Sequence, residues 1–186
     1  MNIIIANFCG IGDLVRMEPI VRGVRKKYPH AYIAMLVREG RQQVFEKHIA
    51  IDECFVFPTK RCNALLRQGV SGINVIHQVV YTFINCLRDI AFDLAIVPPG
   101  HTDAVISGLI KAKRYVGAHS LVWNDMEITG AAAQRFFDIL NMPTEKRKKY
   151  VHESFTDIMY AMCDELSLPL STEERIPRYA ISISER

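Results

Sequence analysis

Asn2-Ile3-Ile4-Ile5-Ala6-Asn7-Phe8-Cys9-Gly10-Ile11-Gly12-Asp13-Leu14-Val15-Arg16 is the stretch that decides the fold. Asn2 to Phe8 is a nearly continuous apolar run, the pattern of a strand buried on both faces of a sheet. A glycine loop follows, Cys9-Gly10-Ile11-Gly12-Asp13, and then a helical pattern to about Tyr28. Leu14, Val15, Ile20, Val21 and Val24 give that helix one apolar face; Pro19 weakens its middle and Pro29 stops it.

The strand–helix unit then recurs. Ala31 to Val37 reads as a second strand, Gly40 to His48 as a short helix and Glu53 to Phe57 as a third strand. Pro58 to Ser71 reads as a loop carrying Lys60, Arg61 and Arg67, and Ile73 to Ile90 as a long helix. Phe92 to Val97 is a fourth strand, stopped by Pro98-Pro99-Gly100. Asp103 to Ala112 is a helix and Arg114 to Gly117 a short fifth strand. Strands alternating with helices predict an α/β fold, a doubly wound and mostly parallel sheet of Rossmann-like form. From His119 to Ile128 the pattern is irregular. Thr129 to Leu140 and His152 to Leu166 are helical, with a charged turn, Pro143 to Lys149, between them. Tyr179 to Ile183 is a short alternating run. The expected division is a domain over 1–168 and a linker, or the start of a second domain, over 169–186.

Composition narrows the function classes. The chain has 186 residues, 49% hydrophobic and 23% charged, which suits a folded domain with a sizeable core. Twenty-three Lys and Arg against 20 Asp and Glu leave a net charge of +3, too small an excess to argue for nucleic acid. The five cysteines are odd in number and none has C-x-x-C spacing, which speaks against a zinc ribbon or a disulfide framework and for a reducing, cytoplasmic setting. The histidines show no ligand spacing, so neither metal nor cofactor is expected.

The glycine loop lies where a doubly wound sheet places its chemistry, at the carboxyl end of the first strand and the start of the first helix. Gly10 and Gly12 permit a tight turn and close ligand approach, and the free amides of the helix start attract anions. Val15 stands where a dinucleotide fingerprint has its third glycine, and no Gly-Lys-Ser/Thr follows as in a Walker loop. Asp13 has two readings: a helix cap, or a carboxylate able to take a proton from a substrate hydroxyl. A helix N-terminus stabilises the charged form and weakens the base, which suits a hydroxyl that turns acidic only late in bond formation.

These residues carry a resemblance. Ile3-Ile4-Ile5, Gly10-Ile11-Gly12-Asp13-Leu14-Val15, Glu18-Pro19-Ile20-Val21 and Lys27-Tyr28-Pro29-His30-Ala31 resemble the start of glycosyltransferase family 9, the lipopolysaccharide heptosyltransferases. The likeness continues through Phe92-Asp93-Leu94-Ala95-Ile96 and Lys111-Ala112-Lys113-Arg114-Tyr115-Val116-Gly117 to His152-Glu153. It implies one half of a GT-B enzyme, with an N-terminal acceptor domain and a C-terminal nucleotide-sugar domain. It further implies transfer of heptose from an ADP-sugar with inversion, without metal, with Asp13 as the general base. Two departures stand out. Asn7-Phe8-Cys9 replaces a basic residue common in the family, and family members are about twice as long. The expectation is therefore an acceptor half, inactive alone, completed by a missing donor domain and acting on a cell-envelope glycolipid. Peripheral contact with the inner face of the cytoplasmic membrane is expected with it.

Other candidates cluster on the same sheet edge. Lys60, Arg61 and Arg67 suit an anionic sugar acceptor, against the plainer reading of a solvated loop. Arg16, one turn past Asp13, faces the expected cleft, whereas Arg22, Arg25, Lys26 and Lys27 read either as a solvated basic face or as an attraction to anionic lipid. His101 follows Pro99-Gly100 at the end of the fourth strand, on the functional edge, and reads either as an acceptor contact or as a plain helix-start residue with Thr102 or Asp103 capping. His152 reads as structural, Cys9 as a small buried residue, and Trp123 as core or as a sugar platform. Two rivals remain: a non-catalytic module binding a phosphorylated sugar or a protein, and a flavodoxin- or dehydrogenase-type domain with Glu39 as its ribose carboxylate.

Overall fold

The computed structural model describes residues 1–98, 101–122, 125–147 and 155–178. Six strands form one sheet in the order β3-β2-β1-β4-β5-β6. They are β1 (Asn2–Asn7), β2 (Tyr32–Arg38), β3 (Glu53–Phe57), β4 (Leu94–Val97), β5 (Arg114–Val122) and β6 (Asp125–Thr129). The first five pair in parallel and β6 pairs antiparallel with β5. The expected α/β, mostly parallel architecture is present.

The apolar run of β1 is sorted by the two-residue period of a strand. Ile3 and Ile5 face one core with Ile33, Met35 and Val37 of β2; Ile4 and Ala6 face the other with Ala34 and Leu36. Helix α1 (Ile11–Lys27) covers the first face through Leu14, Met17, Ile20, Val21 and Val24. Helices α6 (Ala131–Asn141) and α8 (Phe155–Glu165) cover it as well, α8 supplying Met159, Met162 and Cys163. The second face is covered by α4 (Tyr81–Arg88), through Ile84 and Leu87, and by α5 (His101–Ile110), through Ile106 and Ile110. α1 runs unbroken through Pro19, since the buried side chains around the ring outweigh the one hydrogen bond proline removes.

Five segments differ from the sequence reading. Pro58 to Ser71 is not a loop, because Thr59–Arg67 forms helix α2. Gly69, at φ +81°, ends it: Gly69 N–H donates to Leu66 O at 3.0 Å and Val70 N–H to Leu65 O at 3.0 Å, the paired closure of a Schellman motif. The expected helix over Gly40 to His48 shrinks to a three-residue 3-10 turn, Gln42–Val44. The long helix is α3 (Gly72–Val75), a π-helical turn (Ile76–Val80) and α4 in one run. The irregular stretch after Gly117 is the β5–β6 hairpin. Pro143 to Lys149 holds a one-turn helix, α7 (Thr144–Arg147).

The chain past α8 straps back over α1. Leu168 and Leu170 are buried, and a Cβ on Gly23 would meet the Cδ1 of each at 2.9 Å. Arg22 Nη2 donates to the carbonyls of Glu174 and Ile176, and Lys26 pairs with Glu174 at 3.1 Å. Trp123, His152, Glu153 and Tyr179 to Arg186 lie outside the described residues.

Candidate functional site

The carboxyl ends of β1, β2, β3 and β4 share one edge of the sheet. The strand order reverses direction about β1, between β2 and β4, so the crevice of a doubly wound fold opens there. The Cys9–Asp13 loop sits at this point. Phe8 stacks edge-on against Phe57 at 5.4 Å, and Phe57 against Phe83 at 5.5 Å, so aromatic packing fixes the ends of β1 and β3 to α4.

Gly10, at φ −70° and ψ 168°, is the N-cap of α1, and Asp13 occupies the third helical position. Asp13 Oδ2 accepts from Gly10 N–H at 3.2 Å, and Asp13 Oδ1 pairs with Arg16 Nη1 at 3.0 Å. The carboxylate thus makes one half of a capping box, since Gly10 has no side chain to return the bond, while 31% of the Asp13 side chain faces solvent. A Cβ on Gly12 would meet nothing within 4 Å, and one on Gly10 only Asp13 Oδ2 at 3.6 Å. Neither glycine is needed to avoid a clash inside the protein, so the loop leaves open space above the helix start.

Asn7 is the residue the sequence reading noted only as a departure. It is fully buried at the end of β1, and its Oδ1 accepts from Cys9 N–H at 2.8 Å, ordering the loop from beneath. That bond sets the orientation of the amide, leaving Nδ2 buried without a hydrogen-bond partner. A polar side chain closing an otherwise apolar strand at its carboxyl end is the signal that pointed to it.

The remaining candidates fall into separate places. Gly10, Gly12, Asp13 and Arg16 form one cluster. Lys60, Arg61 and Arg67 lie on α2, two strands away, and all three are exposed. Lys60 is held by Glu39: its N–H donates to Oε2 at 3.0 Å and Nζ lies 3.6 Å from Oε1. Glu39 is thereby engaged with α2. His101 is the first residue of α5, which follows β4 beside β1; its side chain lies outside the described set.

The cations late in α1 serve the fold. Arg25 donates to the carbonyls of Ala31 (2.7 Å) and Pro29 (3.1 Å) and pairs with Asp52; Lys27 Nζ donates to Leu166 O. Glu18 is 1% exposed and is bound by Arg22 Nε at 2.9 Å and Arg178 N–H at 2.9 Å, with His48 Nε2 at 3.6 Å. Burial alone would raise its pKa; the hydrogen bonds and the guanidinium charge outweigh that and lower it to about 2. Among the described residues, no group of three or more His, Cys, Asp or Glu is placed to hold a metal ion. No helix among them is long and apolar enough to cross a membrane.

The half-exposed Asp13 carboxylate thus lies on a helix start at the switch point of an open α/β sheet, the place where sheets of this kind bind ligands. Comparison with solved structures narrows the fold. The chain matches the glycosyl transferase family 9 protein from Veillonella parvula DSM 2008 with a TM-score of 0.53, at 24% identity, over 78% of this chain and 41% of that one. It matches the E. coli heptosyltransferase WaaC, solved with ADP and with ADP-2-deoxy-2-fluoro heptose, with TM-scores of 0.62 and 0.63. Those alignments cover 92% of this chain and 49% and 50% of the other, at 13% and 12% identity. No protein-family model and no curated protein matches the chain. The chain therefore has a glycosyltransferase-like fold, similar to that of family 9 structures, and spans about half the length of the structures it matches.

Proposed function

We propose that this chain is the acceptor-side half of an inverting glycosyltransferase that moves a sugar from a nucleotide-sugar of ADP-heptose type to a cell-envelope glycolipid. The observation that carries the reading is Asp13, a partly open carboxylate at the switch point of a fold like that of the heptosyltransferases. The WaaC structures contain ADP and an ADP-heptose analogue, and this chain covers about half of each, which supports a second unit as the holder of the donor. The protein works at the cytoplasmic face of the membrane in this reading.

The acceptor hydroxyl rests against Asp13. Its oxygen forms the new bond to the anomeric carbon as the bond from that carbon to the diphosphate breaks, and the electron pair leaves with the diphosphate. The hydroxyl proton passes to Asp13. Gly10 N–H and Arg16 Nη1 hold the carboxylate in place, one on each oxygen, while the hydroxyl proton is taken up. Arg16 also lies within reach of an acidic group on the acceptor.

Asp13→Asn tests the assignment in the chain completed by its donor unit. Loss of a general base lowers turnover by about 10²–10⁴-fold while the fold is kept. Near-normal turnover would remove Asp13 from the chemistry. The bond from Gly10 N–H to Asp13 favours a second reading, a binding module in which Asp13 is structural. In that case the same variant loses about 1 kcal/mol of stability and no transfer occurs with any donor unit added.

A further inference from the structure

The segment after β3 has a composition unlike the rest of the chain. From Cys54 to Arg88 there is no Asp or Glu, although the whole chain has 20. Within it, α2 has no buried residue, and its closing turn at Gly69 leads into α3 as an exposed helical hairpin. Leu66 is 48% exposed and Ile73 is 65% exposed. The orientation of Ile73 follows from helix phase. Val75 is buried, and a residue two positions away on a helix points about 200° around the axis, so Ile73 faces outward wherever Val75 packs. Arg61 and Arg67 are exposed and make no ion pair among the described residues, while Lys60, 80% exposed, keeps its link to Glu39.

Apolar side chains held out of the core and flanked by cations, in a segment with no acids of its own, form the kind of surface that lies on an anionic bilayer. Leucine and isoleucine enter the acyl boundary, and the guanidinium groups meet lipid phosphates. The cations of α1, the other candidates for such a role, are used on carbonyls and carboxylates inside the molecule. We propose that the α2–α3 hairpin docks this protein on anionic phospholipid, with Leu66 and Ile73 inserting and Arg61 and Arg67 binding headgroups. α2 follows the carboxyl end of β3, on the edge that carries Asp13, so docking there brings that edge toward the bilayer. The proposal rests on the glycolipid reading of the acceptor for its purpose and not for its measurement.

The test is sedimentation of the chain with phosphatidylglycerol–phosphatidylethanolamine vesicles and with phosphatidylcholine vesicles. Binding is expected to the first and not the second, and to weaken as salt rises. Arg61→Gln with Arg67→Gln lowers partition roughly twenty-five-fold, about fivefold for each cation. Leu66→Ser lowers it about tenfold. Ile73→Trp gives a fluorescence blue shift on anionic vesicles beyond that of the wild-type chain. All of these positions are exposed, so folding is not at stake, and circular dichroism checks it. Equal binding to both vesicle types, or unchanged partition of the charge variant, overturns the proposal. So does a hairpin that binds no vesicle but loses self-association on Leu66→Ser, which would make the face a protein interface. Vesicle binding without transfer in the completed enzyme would leave the docking surface standing and remove the glycosyltransferase reading. Transfer to detergent-dispersed acceptor without vesicle binding would do the reverse.

Discussion

Replacing Glu18 by Gln removes a buried charge that ties three parts of the chain together. Glu18 Oε1 and Oε2 accept from Arg22 at 2.9 and 3.2 Å, and Oε2 accepts from Arg178 N–H at 2.9 Å. Arg22 in turn donates to the carbonyls of Glu174 and Ile176, so the carboxylate anchors the strap that crosses α1. Desolvation opposes the charge, but the bonds from His48, Arg22 and Arg178 win and bring the pKa from 4.5 to about 2. His48 at 3.6 Å is the weakest of the three contacts by geometry. The folded carboxyl holds its proton less tightly than the unfolded one. The gain is therefore complete above about pH 4.5 and vanishes as the pH falls to about 2. A shift of that size is worth on the order of 3 kcal/mol, with more than half gone by about pH 3. Urea unfolding of wild type and Glu18→Gln should then differ by on the order of 3 kcal/mol at pH 7 and by much less at pH 3. Trypsin should cut the variant sooner at Arg175 or Arg178. A difference in stability that stays constant from pH 7 to pH 3 would show that the carboxylate charge is not what holds the strap.

Ser167 ends α8 with φ 49°, a left-handed conformation that costs a side chain about 1 kcal/mol, while Ser167 N–H and Leu168 N–H close the helix at 2.9 Å each. Ser167→Gly should raise the melting temperature by about 2 °C in a scanning measurement; a fall would mean the hydroxyl contributes more than the strain removes. Burial pushes the Cys54 and Cys163 thiols up to about 11, and Cys163 is fully buried, whereas Cys86 is exposed. Mass-resolved labelling with a thiol reagent at pH 8 should therefore modify Cys86 first and Cys163 only on unfolding. Early labelling of Cys163 would contradict the packing of α8 against α1.

The parallel core was legible because its signal is local and repeated. Apolar runs such as Ile3-Ile4-Ile5 and Met35-Leu36-Val37 need burial on both faces, and the helical stretches between them supply it. What escaped notice was structure whose signal is weak or split. α2 hides behind Pro58, Gly69 and Ser71, all turn residues, and buries no side chain fully, so no core-facing stripe marks it. The β5–β6 hairpin alternates Ala118, Ser120 and Val122 with Met126 and Ile128 on its return, a pattern for one-sided burial rather than a continuous run. Gly117, at φ +102° with Val97 O only 1.7 Å from where a Cβ would stand, looked like an end and is a close approach inside the strand. The strap over α1 is set by contacts more than a hundred residues apart, Glu18 to Arg178 among them, which no local pattern reports.

The candidate site divides along the same line. The loop Gly10–Asp13 was readable because a glycine pair and a carboxylate at a strand–helix junction make a local signature. Its support was not: Asn7 looked like a flaw in an apolar strand until its bond to Cys9 N–H showed it holding the loop. The geometry leaves both readings of Asp13 compatible. A carboxylate has about four lone-pair directions. Gly10 N–H and Arg16 use one on each oxygen, and 31% of the side chain remains open to solvent. Held on one side and open on the other, the carboxylate would serve the proposed reaction as a pre-oriented proton acceptor, with its rotamer fixed before a hydroxyl arrives.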